Sequence, residues 1–341
     1  MTDIRTDYPL KELNSFAVDA RAAYYAEYSS AGQLGEIIAR LNTELRGVPV
    51  FHIGGGCNVL FTKERYEGVV LKSRIGGIET VSETDDDVVL RVGASVVWDD
   101  FVAYCVGHGY YGAENLSLIP SEVGATAVQN IGAYGSEAKD VIESVEAMNL
   151  SDGSLFTLKN SECRFAYRHS IFKEELRDKC AILHVTYRLS KHFTPNISYV
   201  GLRSEFEKRG IEVTAENVRR VVIDVRSAKL PDVKVEPNAG SFFMNPVIDE
   251  TKYSELLKTY PEMPSYKLPG GKVKVPAAWL IDHAGWKGRS LGPAAVCSTQ
   301  ALVLVNKGGA RGEDIVALCN AVRADVARIY GIEISPEVIF K

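Results

Sequence analysis

Apolar positions along the chain alternate between helical spacing and strand-like runs. Leu34, Ile37, Ile38, Leu41 and Leu45 share one helical face, with Ser29 or Ser30 placed to cap it. Val48 to Ile53 then reads as a buried strand broken by Gly54-Gly55-Gly56, and Val88 to Val92 as another. A helical run through Trp98, Phe101, Val102 and Cys105 is stopped by Gly107 and Gly109. Leu183, Val185, Tyr187 and Leu189 alternate as a half-buried strand. A helix from Thr214 turns Val218, Val221, Val222 and Val225 inward and ends before Pro231; another begins after Pro276, a residue suited to a first helical position. The last long helix carries Ile315, Leu318, Cys319, Val322, Val326 and Ile329 on one face, with Gly331 as its stop, and Ile332 to Phe340 reads as a closing strand. This mixture predicts an α+β fold, without the regular strand–helix alternation of a doubly wound sheet.

One stretch has no period. Leu116 to Gly135 is rich in Gly and Ala, loop-like, and too long for an ordinary connection, which marks it as a functional loop. Residues 230–240, with Pro231, Pro237 and Gly240, resemble a domain boundary.

Composition narrows the function classes. The 341 residues suggest two or three domains with ample core. A net charge of −5 without a Lys/Arg cluster argues against nucleic acid or an anionic membrane as main partner, though not against small anionic ligands. The N-terminal stretch Met1 to Leu13 lacks the apolar segment of a signal peptide, and no run approaches the ~18 apolar residues of a membrane span. Cys57, Cys105, Cys163, Cys180, Cys297 and Cys319 are scattered, and the six histidines form no HxH or HExxH, so reduced thiols in the cytoplasm and no metal centre are expected.

Chemistry concentrates in a few segments. In Gly54-Gly55-Gly56-Cys57-Asn58 the missing Cβ atoms let backbone N–H groups converge on phosphate, although a plain tight turn reads equally well. It is not the usual dinucleotide fingerprint, since position 59 is Val59, nor a triphosphate loop, since no Lys-Ser/Thr follows. Residues 119–135 are a second small-residue loop, so the two could grip the ends of one large cofactor, or pack helices closely. Phe165-Ala166-Tyr167-Arg168-His169-Ser170-Ile171-Phe172 sets an Arg among aromatics, Asn238 to Pro246 puts Ser241 on a glycine turn, and Ser335 to Phe340 places Glu337 near a strand. Taken singly, these are an ion pair, a turn residue and a solvated carboxylate.

Taken in order, GGGCNVLF (54–61), ENLSLIPSEVGATAVQNIGAYG (114–135), FAYRHSIF (165–172), KLPD (229–232) and NAGSFFMNP (238–246) strongly resemble the UDP-N-acetylenolpyruvoylglucosamine reductases, also called UDP-N-acetylmuramate dehydrogenases. The resemblance spans nearly the whole chain, from Leu13 to Phe340, and Ile197 to Leu202 matches the tyrosine loop of the longer, type I branch. It implies a vanillyl-alcohol-oxidase-type FAD module at 1–228, with subdomains of about 1–75 and 76–228 and a tyrosine-loop insertion at about 191–213. It further implies an α+β substrate domain at 229–331, and a strand at 332–341 that returns Glu337 to the active site. The implied reaction belongs to peptidoglycan precursor synthesis: NADPH reduces non-covalent FAD, and hydride then passes to C3 of UDP-GlcNAc-enolpyruvate. A cytoplasmic monomer is expected.

The resemblance also assigns residues. Ile53, Gly54, Gly55, Gly56, Cys57 and Asn58, with Ile119, Pro120, Ser121, Gly124, Ala125, Gln129, Asn130, Gly132, Ala133 and Tyr134, would hold FAD, largely through backbone donors. Arg168 and Glu337 would meet the charge that develops on the substrate carboxylate, and Ser241 would protonate C2. Tyr199 would close over the diphosphate, while Lys229, Asn245, Arg226 and Gln300 would orient substrate or nicotinamide; His169 is an ordinary loop histidine. Two departures bear on the flavin loops: Cys57 stands where Ser is common, and Ser121 follows Pro120 where Gly is usual. If that Gly serves a positive φ, Ser121 is expected to be strained or its loop shifted. The competing readings are an FAD oxidase of the same superfamily, with His52 or Cys57 as a flavin tether, and a non-catalytic binding protein.

Overall fold

A computed structural model describes residues 3–341, with the side chain of Val200 excepted; Met1 and Thr2 of the polar N-terminal stretch lie outside the described residues. The chain divides into two compact units, each of which is discontinuous in sequence. The first comprises residues 3–8, 22–55 and 67–226; the second comprises 9–21, 56–66 and 227–341. The sequence reading keeps all of 1–228 in one module, whereas in the structure 9–21 and 56–66 pack with the C-terminal residues. The strand Ile339–Phe340 pairs in parallel with Val59–Leu60, and Asn306 Nδ2 donates to Phe16 O at 2.9 Å.

The first unit has two sheets. One runs Ile4–Pro9, Arg21–Tyr28, Arg65–Ser73, Val50–Ile53, the last two parallel, and is covered by the helix Ala31–Glu44. That helix turns Leu34, Ile37, Ile38 and Leu41 inward, and Ser30 caps it by accepting from Gln33 N at 3.2 Å. The other sheet is antiparallel, in the order Leu155–Lys159, Ile142–Asn149, Cys180–Ser190, Asp87–Gly93, Ile78–Glu83. Val88, Leu90, Val92, Val185, Tyr187 and Leu189 join a core with Trp98 and Phe101 of the helix Trp98–Gly107. The period-2 pattern puts these residues on one face, leaving Arg91, His184 and Glu146 linked on the other. The helices Val200–Arg209 and Ala215–Lys229 share a smaller core of Leu202, Phe206, Val218, Val221, Val222 and Val225.

The second unit is built on an antiparallel sheet of Asn238–Ser241, Val303–Asn306, Ala294–Val296 and Ser290–Leu291, with the helix Gly312–Tyr330 packed beside it. That helix ends in a left-handed cap at Gly331 (φ 62°), as the glycine stop predicts. A three-stranded sheet of Val247–Asp249, Lys272–Lys274 and Tyr266–Leu268 flanks it in sequence.

Two expectations are corrected. The segment 116–135 is not loop throughout: Val123–Gln129 is an α-helix. Its small residues show no apolar period because the helix packs by close backbone approach, and a Cβ on Gly124 would lie 2.9 Å from Ala94 Cβ. The closing strand is far shorter than 332–340. Only Ile339–Phe340 is strand, because the chain around Pro336 turns to bridge Phe243 instead.

His52, on the strand Val50–Ile53, faces the Tyr28 hydroxyl at 2.6 Å. Burial, with Lys72 nearby, pushes its pKa down to about 4. The unfolded chain protonates this histidine near 6.5, so between about pH 6.5 and 4 it binds more protons than the folded chain, and stability is lost as the pH is lowered. His52→Gln is expected to remove about 1–3 kcal/mol of the stability difference between pH 7 and pH 4.5, measured by urea unfolding. An unchanged difference would refute the assignment.

Candidate active site

Each unit carries its own share of the candidate residues. In the first, Arg168 sits at φ 55° in a tight turn closed by the Ala166–His169 bridge. Its Nη2 donates to Gly132 O at 2.9 Å, and Lys173 Nζ donates to Arg168 O at 2.9 Å, fixing the turn from below. A Cβ on Gly132 would stand 3.3 Å from Arg168 Nη1, so glycine there leaves room for the guanidinium. Asn130, the left-handed cap of the helix Val123–Gln129, donates to Glu137 Oε2 and Ala166 O and so joins this helix to the arginine turn.

Tyr134 (φ 48°) presents its ring to Tyr199, edge-on at 5.6 Å. Tyr199 precedes the helix Val200–Arg209 and is 45% exposed, so it is not a core tyrosine of a strand. Burial raises the Tyr134 pKa, an effect opposed by Arg226. Arg226 is half-buried, donates from Nε to Leu118 O at 3.3 Å, and forms no ion pair among the described residues. Desolvation holds its pKa below the usual arginine value. Asp99 fixes the same loop, accepting from Leu118 N and, bidentately, from Arg219 at 2.6 and 3.0 Å.

The glycine loops behave differently from each other. In the second, the N–H groups of Val123, Gly124, Ala125 and Thr126 donate to Val96 O, Ala94 O and Glu122 O, and that of Asn130 to Thr126 O. The amides of Gly124, Ala125 and Asn130, expected from sequence as backbone donors, are bonded within the chain: those of Ala125 and Asn130 by helix formation, that of Gly124 by Ala94 O outside the helix. Ser121 is not strained either: within residues 116–135 the positive φ values fall on Leu118 (57°), Asn130 (42°), Tyr134 (48°) and Gly135 (84°). Ser121→Gly is accordingly expected to leave stability unchanged or lower it by a few tenths of a kcal/mol through added unfolded-state entropy. Leu118→Gly, by contrast, relieves about 1 kcal/mol of left-handed strain. Thermal unfolding of the two variants checks this, and a stabilising Ser121→Gly would contradict it.

The first loop carries a group that sequence reasoning missed. Lys72, on the strand Arg65–Ser73, donates from Nζ to Gly54 O at 2.8 Å and pairs with Glu122 Oε1 at 2.5 Å. Its signal was present as a lone lysine following Val69, Val70 and Leu71, at a position where charge is buried only with a partner. Ile53 is fully buried at the end of its strand, and Gln129 and Ala133 are half-buried.

In the second unit, Ser241 is exposed at the end of the strand Asn238–Ser241, directly after Gly240 at φ 68°. Phe242 N donates to Leu302 O at 2.7 Å, and Glu337 N donates to Phe242 O at 2.8 Å, so Ser241 and the half-buried Glu337 are held on neighbouring backbone. Asn58 Nδ2 donates to Glu337 O at 3.3 Å, and Asn58 O accepts from Ile339 N. Gly56 (φ 67°) has no room for a side chain, because a Cβ would fall 1.9 Å from Leu13 O; Cys57 beside it is half-buried. Gln300 Oε1 accepts from Leu302 N at 3.3 Å, and exposed Lys229 offers its carbonyl to Thr299 Oγ1. Asn245 uses its carbonyl oxygen to cap the helix Ala277–His283 through Ala277 N at 2.9 Å, leaving its NH₂ for other contacts. On the three-stranded sheet, exposed Val247 and Tyr266 lie in one cross-strand row with Lys274, whose ammonium is 5.3 Å from the Tyr266 ring.

Residues 22–159 match the family model described as an FAD binding domain, and residues 231–341 match that of the UDP-N-acetylenolpyruvoylglucosamine reductase C-terminal domain. A UDP-N-acetylenolpyruvoylglucosamine reductase of Bacteroides fragilis is 52% identical, with 98% of each chain covered. The chain belongs to the UDP-N-acetylenolpyruvoylglucosamine reductase family. A reductase of the same name from Porphyromonas gingivalis is 44% identical, again over 98% of both chains. The crystal structure of UDP-N-acetylenolpyruvylglucosamine reductase from Thermus caldophilus aligns with a TM-score of 0.69 at 20% identity, covering 100% of this chain and 98% of that one, which supports the family's fold.

The residues present fit FAD. Asn115 Oδ1 is buried with no hydrogen-bond partner among the described residues, while its Nδ2 donates to Tyr134 O and Asn196 O; a bound group carrying donors would satisfy it. The half-buried Arg226, which forms no ion pair among the described residues and is met by Asp99 only at longer range, suits an anionic ligand. Among the described residues no His/Cys/Asp/Glu cluster suits a metal, and no helix is long and apolar enough to cross a membrane.

Proposed function

We infer that this chain reduces the enolpyruvyl group of UDP-N-acetylglucosamine-enolpyruvate to give UDP-N-acetylmuramate, using NADPH and FAD, in peptidoglycan precursor synthesis. The observation that carries this reading is 52% identity to a reductase of that name across 98% of both chains. The chemistry FAD supplies when bound is hydride transfer, taken from NADPH and given to C3 of the enolpyruvyl double bond. Residues 53–58, 119–121, Gln129 and 132–134 are the segments we assign to holding it, with 123–126 acting through small side chains and not through amides.

Hydride addition at C3 places a lone pair on C2 that spreads into the carboxylate. A planar guanidinium can meet that carboxylate with two parallel N–H donors, and we give this role to Arg168, whose remaining Nη2 bond to Gly132 O holds it in a fixed orientation. Glu337 is assigned to the same charge, as a carboxyl that donates when protonated. Ser241 delivers the proton to C2. Its hydroxyl is a weak acid in water, but a carbanion is basic enough to take a proton from it if the geometry is held. The exposed position after Gly240 and the bond from Glu337 N to the adjoining Phe242 O support this pairing of roles. Tyr199 and Lys229 are assigned to the diphosphate and carboxylate of the nucleotide sugar, with Asn245, Arg226 and Gln300 as further contacts. We place the reaction in the cytoplasm, where NADPH and nucleotide sugars are supplied.

The test is direct. Purified protein is expected to be yellow, to release its flavin on denaturation, and to oxidise NADPH only when the enolpyruvyl nucleotide sugar is present. Fast reoxidation of the reduced protein by oxygen alone would favour an oxidase.

A further inference from the structure

Lys72 and Glu122 form a buried ion pair, with side chains 5% and 14% exposed, and neither belongs to the residues assigned above to substrate or flavin. The pair sits where the two glycine segments meet. Lys72 Nζ takes Gly54 O of the first and Glu122 Oε1 of the second, and a Cβ on Gly54 would lie 3.3 Å from Ala125 Cβ and 3.7 Å from Glu122 Oε2. The lysine therefore bridges both segments at a point where Gly54, lacking a Cβ, lies close against Ala125 and Glu122.

The chemistry of that point is unusual. Glu122 sits in the Pro120-Ser121-Glu122 stretch, so a carboxylate occupies a segment that is to lie against a diphosphate. Desolvation raises the Glu122 pKa, while Lys72 and, more weakly, Arg74 favour its charged form. An uncompensated carboxylate there would repel the ligand, whereas an uncompensated buried ammonium would cost chain stability without repelling an anion. Each charge makes the other tolerable.

We propose that Lys72 is a positioning residue for FAD: it neutralises Glu122, where the two flavin-binding segments meet, so that the diphosphate can approach. The proposal rests on segments 53–58 and 119–135 being the FAD-holding segments.

The test is FAD binding by the full-length apoprotein, titrated by flavin fluorescence, with thermal unfolding recorded with and without FAD. Lys72→Met is expected to raise the FAD Kd roughly tenfold or more and to shrink the FAD-induced rise in Tm, since it leaves Glu122 unpaired. The double variant Lys72→Met/Glu122→Gln should recover most of that loss, which a packing role for the lysine stem would not produce. Glu122→Gln alone keeps the cation and should bind FAD at least as tightly as the parent chain. Equal FAD affinity for Lys72→Met and the parent overturns the proposal, as does a double variant no better than Lys72→Met. If Lys72→Met fails to fold, weaker binding by Glu122→Gln overturns the neutralisation on its own. A parent chain that binds no FAD would instead refute the reading of the segments.

Discussion

Ser241→Ala is expected to leave the reduction of bound flavin by NADPH near normal and to slow its reoxidation by the enolpyruvyl substrate by about 10²–10⁴-fold. The asymmetry follows from what each half-reaction demands. Hydride leaves NADPH without any proton having to reach carbon, whereas the second half-reaction is complete only when C2 is protonated. The hydroxyl at 241 lies on a backbone pinned by Phe242 N to Leu302 O and by Glu337 N to Phe242 O, so removing one oxygen atom should not move the strand. Stopped-flow absorbance of the flavin separates the steps, and parallel losses in both would reject Ser241 as the proton donor. Transfer of hydride to C3 without net turnover, seen as exchange of solvent deuterium, would refine the assignment.

Arg168→Lys should lower kcat and kcat/KM together by about 10²–10³-fold with little change in substrate KM. Lysine keeps the charge but gives up the planar fork. It cannot at once hold Gly132 O, as Arg168 Nη2 does at 2.9 Å, and present two donors to a carboxylate. Charge that develops only after hydride transfer is stabilised chiefly in the transition state, hence a kcat effect. A variant whose KM alone rises would show that Arg168 merely binds the ground state. The left-handed φ of 55° at this residue is unaffected by the exchange, so stability should change little, and thermal unfolding provides the control.

The fold was legible where burial writes itself as a period. Leu34, Ile37, Ile38 and Leu41, or Val185, Tyr187 and Leu189, announce helix and strand because one face must leave water. The helix Val123–Gln129 was not legible, because its contacts are made by missing atoms: Gly124 against Ala94 leaves no apolar rhythm. The same limit applied to the site. Arg168, Ser241 and Glu337 stood out only through the order of their motifs, since each alone has a commonplace structural reading. The amides expected as donors at Gly124, Ala125 and Asn130 are bonded within the chain, Ala125 and Asn130 through a helix that the pattern hid and Gly124 through its close approach to Ala94 O. Lys72 was missed for another reason. Its meaning lies in Glu122, 50 residues away, and pairing across that distance is a property of the folded chain.

The discontinuity of the second unit has a consequence for biosynthesis. Its parallel strand pair and the Asn58–Glu337 bond join residues up to 280 positions apart. Residues 9–21 and 56–66 leave the ribosome well before the residues 227–341 with which they form a unit. During synthesis they remain without their partners for most of the elongation time, about 14–60 s for some 280 residues at 5–20 residues per second. Non-local closure of this kind is slow, because the loop entropy is lost before any contact compensates it. Leu10, Phe16, Leu60 and Phe61, all buried in the finished unit, are among the apolar groups that wait in this interval for the surfaces that cover them.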